Sequence, residues 1–378
     1  MNPKRQTIHF DKKLIDKDAL KVLKVLHKAR FEAYLVGGCI RDLLLRQKPK
    51  DFDIATNASP EQIHKLFKRS RLIGRRFPLV HIMFSARKYI EVATFRASRS
   101  HLNKGGITRD NHYGTLKEDV FRRDFTVNAL YYDTNKSQVI DFVDGLSAIN
   151  EHKINMIGNP SNRFEEDPVR MIRAIRFEVK LEAKLDPKIS KAISQKSHLL
   201  GRIPPARLYD ECVKLFHNEK SYRVFERLLE TGLLKHLFQQ TSNSKFIKKA
   251  LNNTSERLKT NKSVTPAFLF SVFLWDSQNK HFNKFQKRNK SNFVAMHEAS
   301  EEVISRQIKQ VLMPKWLSAR VKDIWMMQHQ LEKCSSKKVV DLIANPRFRI
   351  AYDFLVLRSQ SINPELRDRA EYWTQIQK

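Results

Sequence analysis

The chain has 378 residues, 41% of them hydrophobic and 24 of them Phe, so it can bury a sizeable core and has room for two or three domains. Its 71 Lys and Arg against 40 Asp and Glu leave +31 at pH 7, a field that suits phosphate backbones. No apolar run approaches the roughly 18 residues that cross a bilayer, MNPKRQTIHFDKK lacks a signal-peptide core, and Cys39, Cys212 and Cys334 fit neither zinc nor disulfide spacing. A soluble, reduced, cytoplasmic protein with a nucleic-acid partner is expected.

Leu20, Leu23 and Leu26 recur at helical spacing, predicting an amphipathic helix over residues 16–30. FEAYLVGG reads as a strand entering a glycine turn, CIRDLLLRQ as a short helix and DFDIAT as a second strand. SPEQIHKLF opens on a capping pattern at Ser59, Pro60 and Glu61. RFPLVHIMF and KYIEVATFR are further strands, and the polar, aperiodic stretch from Ser98 to Gly114 reads as a mobile loop. EDVFRRDFTVNALYYD leads into the strand-like QVIDFVDG. Beyond about residue 150 strand patterns nearly vanish and helix follows helix. The expected class is α+β: an N-terminal α/β head with a small mixed sheet, then an all-helical neck, body and tail. The boundaries are a helical extension at 1–30, the head at 31–150, the neck at 151–205 and the body with a C-terminal domain at 206–378.

Two aspartates in DFDIAT are what a strand built only for stability avoids. Side chains two apart on a strand face the same way, roughly 6.5–7 Å apart, so Asp51 and Asp53 share a face while Phe52 and Ile54 turn to the core. Convergent carboxylates on a rigid strand suit a pair of Mg²⁺ ions. Gly37 and Gly38 let backbone approach closely, the following helix offers N–H groups to a triphosphate, and Arg41 adds charge. An aspartate pair alone is common at strand edges; its place after Gly-Gly and a helix gives it meaning. Glu91 and Asp124 both offer a third carboxylate, and the choice stays open. Arg122, Arg123, Asp124 and Asn128 cluster as a phosphate and ribose clamp, or as a capping Asp beside solvated arginines.

In FEEDPVRMIRAIRFEVK, Asp167 is placed to cap a helix with Pro168 at its first position. Val169, Ile172, Ile175 and Val179 form its apolar stripe. Arg170, Arg173 and Arg176, spaced by three, form either a nucleotide reader or a solvated face. His81 and His112 read as structural or solvent-exposed.

GG-x-x-RD, DFD, RRDFTVNALYY and EDPVRMIRAIRF, in that order over about residues 33–210, resemble the class II template-independent nucleotidyltransferases, the group of CCA-adding tRNA nucleotidyltransferases and bacterial poly(A) polymerases. RLIGRRFPLVHIMF, IPPARLYDE, PAFLF and NPRFRIAYDFLVLRSQ tilt the resemblance towards the poly(A) polymerase branch. It implies that Asp51 and Asp53 bind Mg²⁺, that Asp124 is an active-site residue, and that Asp167 and Arg170 recognise the incoming base. It also implies a nucleotidyltransferase head and an RNA-binding body. The implied reaction adds AMP from ATP to RNA 3′ ends: the 3′-hydroxyl attacks the α-phosphorus and pyrophosphate leaves. RNA-decay proteins enter as further partners. CCA addition to tRNA is the nearest alternative. A non-catalytic RNA-binding protein is a more distant one, opposed by the presence of both Asp51 and Asp53.

Overall fold

The structure, a computed structural model, describes all residues except Met1, 75–77, 98–112, 243, 289–290, 334–338 and 378. Most of the expected loop at 98–114, together with His112, Cys334 and the Arg75–Arg76 pair of RLIGRRFPLVHIMF, lies outside the described residues. The chain divides into two compact units, residues 1–163 with 181–190, and 164–180 with 191–378.

The elements begin with β1 (Lys4–Thr7), α1 (Lys17–Lys28), β2 (Ala33–Val36), α2 (Gly38–Leu44), β3 (Asp53–Thr56), α3 (Pro60–Leu66) and β4 (Ser70–Ile73). There follow β5 (Leu79–Met83), β6 (Tyr89–Thr94), α4 (Leu116–Phe121), a 3-10 turn (Thr126–Asn128), β7 (Tyr131–Asp133), β8 (Gln138–Asp141), α5 (Gly145–Asn150) and β9 (Lys153–Ile154). Next come α6 (Pro160–Glu166), α7 (Val169–Lys180), β10 (Lys184–Leu185), α8 (Pro187–Lys196), α9 (Pro205–Phe216), α10 (Ser221–Glu230) and α11 (Lys245–Lys259). The chain finishes with α12 (Pro266–Gln286), α13 (Asn292–Gln310), α14 (Lys315–Glu332), α15 (Val339–Ala344), α16 (Phe348–Ser359) and α17 (Arg367–Ile376).

Eight strands form one mixed sheet in the order β1-β8-β7-β2-β3-β6-β5-β4, with β3 and β6 parallel and the other pairs antiparallel. Period-2 alternation gives the sheet two apolar faces. On one, α1 lies across β2, β3 and β6 and buries Ala19, Val22, Leu23 and Leu26. Asp16 starts α1 by accepting from the Asp18 and Ala19 amides, and Ser59 with Gln62 closes a capping box on α3. Such caps contribute about 1 kcal/mol each. On the other face Val36, Ala55, Phe95, Tyr131 and Ile140 form a buried cluster with Val120 of α4, Ala129 and Ile157. Burying each large side chain there contributes about 1.5–3 kcal/mol, so the wall beside the predicted site is firmly held.

The α+β class holds, with two local corrections. The first 30 residues are not only helical: β1 pairs with β8 as an edge strand, all four of its residues exposed and so without an apolar period to reveal it. Within the stretch expected to be helical neck, β9 and β10 pair as a two-stranded parallel ladder. In the second unit the α7 stripe Val169, Ile172, Ile175 and Val179 is buried as its spacing predicts. Phe216, Phe225 and Phe238 surround Phe273 at ring-centroid distances of 4.6, 6.0 and 4.7 Å. Among the described residues no helix is long and apolar enough to cross a membrane.

Candidate active site

Strand β2 ends at Val36, directly across the ladder from Asp53. Gly37 then turns the chain with φ +78° and ψ −128°, backbone that only glycine adopts without strain, and α2 starts at Gly38. Asp51 lies just ahead of β3 and Asp53 opens it; both are exposed, while Phe52 and Ile54 are buried, the expected alternation. Glu91 of β6 is the register partner of Asp53, His81 of β5 is the partner of Glu91, and Arg71 of β4 is the partner of His81. Cross-strand partners share a face, so these four side chains form one polar row across the sheet. His81 Nε2 lies 3.4 Å from Glu91 Oε2, and the Tyr89 ring stacks on the imidazole at 4.1 Å.

Asp53 is open to solvent by surface area yet closely ringed by protein atoms. That crowding, with the charge of Glu91 and, after an opposing pull from Arg123, that of Asp51, pushes its carboxyl up to about 6. Of the carboxylates around Asp53, Glu91 raises it most and Asp51 less. The buried Cys39 thiol is pushed up to about 12 by burial and by Asp53, so it stays protonated.

A basic wall stands beside the carboxylates. A Cβ on Gly37 would lie 3.6 Å from Arg123 Nη1, so this guanidinium sits against the glycine turn. Asp119, buried in the first turn of α4, accepts from Arg122 Nε at 2.7 Å, Arg123 Nη2 at 3.0 Å and the Arg96 amide at 3.1 Å, as well as from the Tyr131 hydroxyl. Arg123 Nε also donates to the Tyr131 hydroxyl at 2.8 Å. Burial alone would raise the Asp119 carboxyl, but Arg123, Arg122 and Tyr131 together hold it below the usual carboxylate range. Arg96 is brought down to about 10 by burial and then by Arg122 and Arg123, a sign of how much positive charge is gathered here.

Other predicted residues have structural work in hand. Arg41 is buried: its Nε and Nη2 donate to Asp42 Oδ1 at 2.8 and 2.6 Å, and its Nη1 to Asn128. Arg41 and Asn128 therefore tie α2 to the 3-10 turn. Asp124 Oδ1 accepts from the Phe125 amide at 2.9 Å, and its own carbonyl receives the Ile157 amide at 3.0 Å.

In the second unit Asp167 Oδ1 accepts from the Val169 amide at 3.3 Å, its capping role, and Oδ2 takes Arg207 Nη2 at 2.6 Å. Arg170 donates to Glu166 at 2.9 Å, Arg173 lies 5.9 Å from the Phe177 ring, and Arg176 is 3.6 Å from Glu211. Sequence reading passed over Arg96, Asp119 and Tyr131. Asp119 had a signal, since Arg122 and Arg123 follow it at the three- and four-residue helical spacings.

Hard carboxylate oxygens that repel one another until a cation joins them fit Mg²⁺. Among the described residues no group of three His, Cys, Asp or Glu is gathered to hold an ion unaided. Mg²⁺ usually takes one or two carboxylates and completes its shell with water and substrate phosphates.

A glycine turn into a short helix, strand-borne carboxylates and an adjoining arginine wall define a nucleotidyltransferase head. Family profiles agree: residues 33–155 match the poly A polymerase head domain, 184–244 the probable RNA and SrmB-binding site of polymerase A, and 288–378 the polymerase A arginine-rich C-terminus. The poly(A) polymerase I of Salmonella typhimurium is 39% identical over 99% of this chain and 85% of its own length. The CCA-adding enzyme of Lactobacillus johnsonii is 40% identical, but over 57% of this chain and 54% of its own. The Bacillus stearothermophilus CCA-adding enzyme in complex with CTP superposes with a TM-score of 0.67 at 25% identity, covering 93% of this chain and 81% of that one. The chain belongs to the poly(A) polymerase I family of the nucleotidyltransferases, and its activity is polynucleotide adenylyl transfer.

Proposed function

We propose that this protein adds AMP from ATP to RNA 3′ ends in the cytoplasm, with Asp51 and Asp53 as the metal-holding carboxylates and Glu91 as the third carboxylate, beside Asp53, that adds negative charge to the site. The register pairing of Asp53 with Glu91 at the mouth of the Gly37 turn carries this reading. When bound there, Mg²⁺ would lower the pKa of the attacking 3′-hydroxyl and neutralise the departing pyrophosphate. The chain's own part is placement and charge. Gly37 and Gly38 let the triphosphate reach the backbone, Arg96 adds positive charge, and Arg122 and Arg123, aimed by Asp119, serve the oxygens on which negative charge builds as the new O3′–Pα bond forms and the bond to pyrophosphate breaks. Because Asp119 already orients these guanidinia, little reorganisation is needed during the reaction. Arg41, Asn128 and Asp124 hold the turns that carry this wall.

Asp167 and Arg170, with Arg173 and Arg176 behind them, read the base on the strength of the family resemblance; each of the first two exchanges its present partner, Arg207 or Glu166, for the nucleotide. The profile over residues 184–244 supports RNA, and a protein partner from RNA decay, engaging that segment. Adenylation is favoured over CCA addition because the poly(A) polymerase relative aligns over 99% of this chain and the CCA-adding relative over 57%.

Extension of a labelled unstructured RNA, with each NTP supplied separately and Mg²⁺ present, tests this. The expected result is a ladder with ATP alone, reduced at least about 100-fold in Asp53→Ala and in Glu91→Gln. Full activity in Glu91→Gln would overturn the three-carboxylate assignment. Addition of only C, C and A to a trimmed tRNA would replace adenylation by the CCA reading.

A further inference from the structure

A cavity of about 270 Å³ in the second unit, between α11, α12, α14 and the start of α16, has no task in the head's chemistry. Arg257, Arg320, Arg347 and Arg349 line it, with Asp353 as the lining carboxylate. Arg257 Nη1 donates to Asp353 at 3.1 Å, Arg349 Nε lies 3.3 Å from the same carboxylate, and Arg347 Nε is 3.5 Å from Asp323. Two carboxylates answer four guanidinia, so positive charge is in excess. Among the described residues Arg320 makes no ion pair; its guanidinium lies 5.2 Å from the ring centre of Trp316, itself 46% exposed.

Two further properties narrow the ligand. The first turns of α12 and α16 both reach the cavity, at Ala267–Phe268 and Arg349–Ile350, and bring the positive ends of their dipoles to it. The remaining wall is apolar, with Phe268, Ile324 and Ile350. An inorganic anion has no use for that wall, and an apolar ligand has none for the arginines. A nucleoside monophosphate unit uses both: phosphate on the guanidinia and helix ends, flat base along the apolar side. The volume is at the small end for ligand sites and suits one nucleotide, not several. An exposed Trp carrying a stacked Arg beside it is the kind of platform on which the neighbouring base of a single strand stacks.

We propose that this cavity is an RNA subsite built from residues of the second unit alone, seating one nucleotide of the chain while the next base stacks on Trp316 and Arg320. This rests on RNA being the substrate and adds a second grip that would hold the product between additions. The test uses full-length protein, its fold checked by circular dichroism, as wild type and as Arg347→Ala, Arg320→Ala and Trp316→Ala. Binding of long and short oligoadenylates is read by fluorescence anisotropy, with ATP binding read by equilibrium dialysis and free AMP added as competitor.

The expected result is binding of the long oligoadenylate weakened about tenfold or more by each substitution, in line with loss of a stacked base or a phosphate contact, while ATP affinity stays at the wild-type value. Free AMP should compete poorly, since the RNA chain carries the ligand to the cavity. Variants that bind long RNA like the wild type would overturn the proposal. So would free AMP bound by the wild type and lost in the variants with RNA binding untouched, which would assign the cavity to a free nucleotide. Failure of the wild type to extend RNA with ATP would instead count against the polymerase reading, so the two can be told apart.

Discussion

At Asp53 backbone geometry and charge pull in opposite directions. The strand fixes its carboxylate beside Glu91 and near Asp51, and its ordinary acidity is lost, with the carboxyl pushed up to about 6. The sign follows from linkage: a carboxyl that holds its proton more tightly when folded makes stability fall as pH rises from about 4 to about 6, and that loss persists at neutral pH. Asp53→Asn should therefore raise the Tm of the metal-free protein at pH 7 by about 2–4 °C, or about 1 kcal/mol once its solvent exposure is discounted. The gain should fade near pH 4, and added Mg²⁺ should reverse the order by stabilising the wild type alone. Calorimetric scans at pH 4 and 7, with and without Mg²⁺, check this; an unchanged or lower Tm at pH 7 would mean that Arg123 outweighs the repulsion. At this scale the sequence drew attention to residues that contradict local preference, such as Asp53 at the start of an apolar strand, with Asp51 just ahead of it, or Glu91 among Ile and Val. It was silent where a residue's task is set by remote neighbours. Nothing near Arg41 in the sequence tells that Asn128, 87 positions away, takes its Nη1.

The turn from β2 into α2 shows how one element places the site. Gly37 has φ +78°, and a Cβ added there would meet its nearest atoms, Arg123 Nη1 and the Asn128 carbonyl, at an ordinary 3.6 Å. Space is adequate; the conformation is what alanine cannot take cheaply. Gly37→Ala should thus destabilise the protein by about 1–3 kcal/mol from backbone strain alone, read as a lower midpoint in urea with unchanged m. If the turn relaxes to relieve the strain, α2 shifts against β3, and kcat should fall further than stability loss explains at temperatures where the variant is folded. A neutral substitution would mean that the turn tolerates another backbone path. The sequence made β2, α2, β3, β5 and β6 legible because each has a buried face and therefore a period. The edge strands β1 and β4 were not legible: their residues are mostly exposed, and only pairing with β8 and β5 makes them strands. Pairing partners far along the chain leave no mark on local composition.

Charge is a property of the whole molecule, and it makes a claim that no single residue does. A chain with +31 formal charge at pH 7 attracts any polyphosphate, and phosphates carry no sequence information. Specificity for adenosine must then reside in the incoming nucleotide, which is read at one place, while the RNA already made is held by its backbone and by stacking. The two substrates should separate cleanly under salt. Log KM for RNA should rise linearly with log salt, with a slope of about 0.7 for each phosphate neutralised, whereas KM for ATP, which meets a handful of fixed arginines, should move far less. Oligo(U) and oligo(C) primers of equal length should start the ladder about as well as oligo(A). Steady-state kinetics across a salt series, with all three primers and ATP held saturating, give both readings. A salt-independent KM for RNA would place the grip in specific contacts instead of the general field, and a strong preference for oligo(A) would mean that the body reads bases as well as phosphates.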